Sequence, residues 1–182
     1  MSTPFADELS GARVVEFSAF ASIARKHAEA IATDDGAALE HAAIAIVFGH
    51  AAVELYINDA GARLLGDKFF EKYLDRADIV AKWAVVSRMA GARVDPGGEA
   101  MALLGKLKKA RNDLMHPKIE GIDIGTINPD ELLGRLTKES RLLPLARDVP
   151  RTLDRLRDAA LAFEGIDRSL ADEFLVTGLV SS

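Results

Sequence analysis

Phe17, Phe20, Ile23, His27 and Ile31 recur at three- and four-residue steps. That spacing predicts an amphipathic helix over 17–32. "TDDG" (33–36) breaks it and offers caps for the next helix. Residues 36–65 are apolar nearly all round, which predicts a long helix in the middle of a bundle, ending near Gly66. "DKFFEKYLDR" (67–76) predicts a short helix, and 78–90 another with Asp78 as its cap. "GARVDPGG" (91–98) is a loop by its glycines and proline. Ala100, Leu103, Leu107, Ala110 and Leu114 form one stripe of a helix over 98–116. Pro117 disfavours helical geometry at His116 and stops it there. "IEGIDIGTI" (119–127) alternates like a strand, as a loop or a short hairpin arm. "NPDE" (128–131) has the cap, proline and acids of a helix start. Helices follow at 129–142, 150–164 and 167–176, punctuated by Pro144, Pro150 and Gly165. The expected fold is all-α: a helical bundle with a long central apolar helix and a C-terminal helical appendage.

Composition narrows the function. Of 182 residues, 49% are apolar and only 6% aromatic, which favours helix over sheet. Cysteine is absent, so disulfides and thiolate metal sites are excluded and a reducing, cytoplasmic setting is expected. The first residues lack a basic region followed by an apolar run, so no signal peptide is expected. The longest apolar run, 42–57, is shorter than the roughly 20 residues of a membrane span and contains His50 and Glu54. No membrane partner is expected. The net charge of −5 argues against bulk nucleic-acid binding, so any RNA contact requires a local patch.

The candidate chemistry sits in "KKARNDLMHPK" (108–118). At about 100° per residue, Asn112 and His116 share a helix face, whereas Arg111 points about 140° from His116. Arg111 and His116 therefore meet on one phosphate only if the helix end bends or a second copy faces the first. The plain alternative is a solvated helix end, with His116 complementing the helix dipole. Elsewhere, His50 and Glu54 stand four residues apart and are expected as a mutually satisfying core pair. Asn58 is expected as a buried hydrogen-bonding residue and His27 as a core histidine. Lys106, Lys108 and Lys109 read by default as a solvated face. No histidine has a glutamate three places before it, which removes the carboxylate-bridged metal bundles. The usual phosphate-cradling glycine loops and serine or cysteine nucleophile motifs are also missing. No metal or other cofactor is expected.

"RNDLMH" (111–116) resembles the Arg–x(4–6)–His motif of the HEPN superfamily, the higher eukaryotes and prokaryotes nucleotide-binding domains. "VELYIN", with Glu54 and Asn58, and "AKWAVV", with Lys82 and Trp83, fit the same bundle loosely. The resemblance covers about 17–118, and the chain after 118 departs from the compact family pattern. It implies a HEPN-like bundle over 1–118, with 119–182 as a helical extension packed on the same domain. It further implies a homodimeric, metal-independent endoribonuclease in a toxin–antitoxin or defence setting, with RNA as substrate and a protein antitoxin as partner. His116 would serve as acid or base, Arg111 as phosphate clamp, and Asn112 would orient His116 or bond the phosphate. Glu54 and Asn58 would support them from behind. Lys106, Lys108, Lys109 and Lys118 would hold the substrate backbone. The chemistry agrees: cleavage without a metal needs a proton acceptor, a proton donor and a fixed cation. The alternative is a non-catalytic HEPN-like module that binds a nucleotide or a protein partner.

Overall fold

A computed structural model of the chain describes residues 4–33, 36–93, 95–115 and 142–166, with side chains from Phe17 onward. Seven helices stand among the described residues, and no strand does. They are α1 (Pro4–Ala30), α2 (Ala38–Leu65), α3 (Asp67–Tyr73), α4 (Ile79–Met89), α5 (Glu99–Met115), α6 (Leu142–Arg147) and α7 (Val149–Ala160). The chain is an all-α helical bundle.

α2 is its axis. It packs along α1 and also touches α3, α4, α5, α6 and α7. Its apolar circumference follows from that position, since a helix surrounded by others has no face to leave polar. By length and composition alone α2 is also long enough to cross a membrane. The helix runs 28 residues, well beyond the apolar run at its centre, so run length no longer argues against a span. Its place amid six other helices accounts for the apolarity within the bundle.

The core joins both ends of the chain. Phe17, Ala24 and Ile31 of α1 and its following turn meet Ile46, Val53 and Ile57 of α2. Leu142, Ala146, Val149, Leu153 and Leu156 of α6 and α7 are buried in the same cluster. Close approach is permitted by Gly49, where a Cβ would stand 2.7 Å from Val149 Cγ1. The C-terminal helices therefore fill one core with α1, α2, α4 and α5.

The boundaries depart from expectation in two instructive places. α1 starts at Pro4 rather than 17, and the added residues 4–16 extend the helix without a break, each adding one backbone hydrogen bond to a turn already formed. α6 covers 142–147, where Pro144 was expected only as punctuation. Pro144 occupies the first turn, where its missing N–H has no helical partner to lose. Pro150 likewise opens α7. The expected end of α2 holds: Gly66 has φ 83°, a conformation that glycine adopts without strain. The strand-like 119–127, the helix expected at 129–142 except for its last residue, and the helix expected at 167–176 lie outside the described residues.

Candidate functional site

Three residues of α5, Lys108, Arg111 and Asn112, lie three and four positions apart and so share a helix face. α5 packs that face beside α4 and α2. Together with His50 and Glu54 of α2 and Ala77, Asp78 and Ile79 at the start of α4, they line a cleft of about 190 Å³.

The cleft is dense in charge. Asp78 caps α4 through its Oδ1, which accepts from Val80 N at 2.8 Å and from Ala81 N at 3.4 Å. Its Oδ2 forms an ion pair with Lys108 Nζ. Burial alone would raise the Asp78 pKa, but the Lys108 hydrogen bond and charge and the two backbone donors outweigh it and hold the carboxyl below 3.8. Arg111 Nη1 donates to Asn112 Oδ1 at 3.2 Å.

Behind these cations runs a second polar set. His50 Nδ1 lies 3.6 Å from Glu54 Oε2. Lys82 Nζ lies 3.4 Å from Glu54 Oε1 and donates to Asn58 Oδ1 at 2.9 Å. Lys82 is almost completely buried, so these partners compensate a charge removed from water. Burial pushes the His50 pKa below 6.5. Arg111 and Lys82 push the same way, and Glu54 and Asp78 oppose them. His50 is therefore neutral near pH 7.

Set against the sequence reading, four candidates share the cleft: Glu54, Lys108, Arg111 and Asn112. Asn58 reaches it only through Lys82. Lys109 turns to Asp113 at 2.6 Å and lies outside the cleft lining, and Lys106 is exposed. His116 and Lys118 lie outside the described residues. The expected core pair is corrected: His50 is buried, but Glu54 leaves 40% of its side chain exposed and opens onto the cleft. His27 is not a core histidine either, being half-buried with its Nδ1 2.9 Å from that of His41. Sequence reasoning missed Asp78 and His50 as cleft residues and Lys82 as the cation behind Glu54. A lysine amid "DIVAKWAVV" is the one signal that pointed there. Among the described residues no group of three or more histidine, aspartate or glutamate side chains is arranged to hold a metal. Family models, curated proteins and solved structures, compared with this chain, give no match.

Proposed function

We propose that this protein is a metal-independent endoribonuclease of the HEPN type, cytoplasmic and homodimeric, that serves as a toxin or defence component. One observation carries the reading. Lys108, Arg111 and Asn112 line a single cleft with His50 and Glu54. Fixed cations and amide donors suit a phosphodiester whose negative charge grows during cleavage. A neutral histidine and a carboxylate beside it suit proton transfer. Attack of the ribose 2′-hydroxyl on the adjacent phosphorus would release a 2′,3′-cyclic phosphate and a 5′-hydroxyl. Arg111 clamps the phosphate, Lys108 and Asn112 hold its neighbours, and His116 supplies acid–base chemistry as the motif implies.

A second reading has an observation of its own. Lys108 is already bound to Asp78 and Arg111 to Asn112, which suits a module that binds an anionic partner without turning it over. Mixed RNA incubated with a chelator separates the two. The enzyme reading expects cleavage by wild type and a loss of roughly 10²–10³-fold in Arg111→Ala, with His116→Ala also impaired. RNA retained but uncut supports the binding module. Light scattering at micromolar concentration tests the dimer, and a monomer contradicts it.

A further inference from the structure

His50 interrupts the most apolar helix of the chain, where packing alone calls for a leucine or alanine. Only 9% of its side chain is exposed, yet it borders the same cleft as Arg111. The polar chain behind it runs Asn58, Lys82, Glu54, His50. Each link is a group that an apolar core would omit, and Lys82 exposes 1% of its side chain to join it. A buried lysine is retained where partners compensate it, and here both partners are on α2. The chain ends at His50, which borders the cleft.

Resting on the ribonuclease reading above, we propose that His50 is the catalytic base that takes the proton from the ribose 2′-hydroxyl, with Glu54 and Lys82 as the positioning residues that fix its ring. A carboxylate facing Nδ1 favours the tautomer with the proton on that nitrogen. Nε2 is then the basic nitrogen, and the base role requires that it reach the 2′-hydroxyl of an RNA bound in the cleft. As His50 takes the proton, the 2′-oxygen bonds to phosphorus and the bond from phosphorus to the 5′-oxygen breaks. The leaving 5′-oxygen takes a proton from solvent water. Arg111 stays on the non-bridging oxygens throughout. Acceptor and clamp then belong to one cleft of one chain. The groups facing His50 from the packed elements are Glu54 on α2, Asp78 and Lys82 of the α4 segment, and Arg111 on α5. Burial leads in keeping the ring unprotonated near pH 7, the state a base requires.

The test is a pH–rate profile of RNA cleavage in chelator for the full chain and for His50→Gln, Glu54→Gln and Arg111→Ala, with helix content of each followed by circular dichroism. His50→Gln is expected to cut roughly 10²–10⁴-fold more slowly. The acidic limb of the wild-type profile is expected to have its midpoint below pH 6.5. Glu54 raises the His50 pKa, so Glu54→Gln moves that limb to still lower pH. A purely structural role for Glu54 would lower the rate without moving the limb. His50→Gln cutting as fast as wild type overturns the inference. So does an unmoved limb in Glu54→Gln. Either result leaves the ribonuclease reading standing if Arg111→Ala is inactive. If His50→Gln does not fold, the Glu54→Gln limb decides alone. Wild type that cuts no RNA removes both readings together.

Discussion

At the scale of single residues, two glycines inside helices sit in opposite surroundings. A Cβ on Gly61 would lie 2.4 Å from Phe70 Cε2 and 2.7 Å from Cδ2, so the ring of α3 packs where a side chain would stand. A Cβ on Gly105 meets nothing within 4 Å. Replacing a helical glycine by alanine gains about 1 kcal/mol of propensity, whereas overpacking costs about 1–3 kcal/mol. Gly105→Ala should therefore stabilise by about 0.5–1 kcal/mol in urea denaturation. Gly61→Ala should destabilise, and equal effects at both positions would contradict this packing. Neither outcome is legible in the sequence, where both glycines interrupt apolar patterns in the same way. The distinction comes from a contact between residues 61 and 70 across the turn at Gly66. Glu54 was misread for a related reason. An i, i+4 His–Glu pair reads as a closed couple, and only the fold reveals Lys82 competing for Glu54.

At the scale of elements, α4 and α5 were legible because their stripes are regular and their boundaries carry strong signals. Asp78 was recognised as a cap, but its second oxygen on Lys108 was not. That link joins the start of one helix to the face of another, which no local pattern encodes. On the ribonuclease reading, Asp78 trades stability against anion affinity, because its carboxylate holds Lys108. Asp78→Ala should lose the cap and cost about 0.5–2 kcal/mol. Asp78→Ser should keep a capping oxygen, and so most of the stability, while releasing Lys108. RNA binding by Asp78→Ser should then tighten, as read by fluorescence anisotropy. Weaker binding with the fold intact would show that Lys108 does not face the substrate.

At the scale of the whole molecule, the all-α bundle and its apolar axis were readable from periodicity and from the lack of aromatics. The depth to which α6 and α7 enter the core was not, since burial of Leu153 and Leu156 depends on partners in α1, α2 and α5. The bundle also holds two histidines below their ordinary pKa. His27 is lowered by burial first, then by His41 and Lys26, with Glu40 opposing. His50 is lowered chiefly by burial. For a group depressed in the folded state, the unfolded chain binds protons more readily below pH 6.5. Stability is therefore full above that pH and falls as acid carries the solution down through the folded values. Tm should drop between pH 8 and pH 5, and less steeply in His27→Gln. A flat Tm over that window would contradict the two depressed histidines.

The central claim concerns what the cleft does to a phosphodiester bond. End-labelled RNA and its 2′-O-methylated counterpart, incubated in chelator with wild type and Arg111→Ala, test it most directly. The account predicts 2′,3′-cyclic phosphate and 5′-hydroxyl ends from the unmodified RNA and none from the methylated strand. It also predicts roughly 10²–10³-fold slower cutting by Arg111→Ala. Cleavage of the methylated strand, or an Arg111→Ala rate equal to wild type, would contradict it.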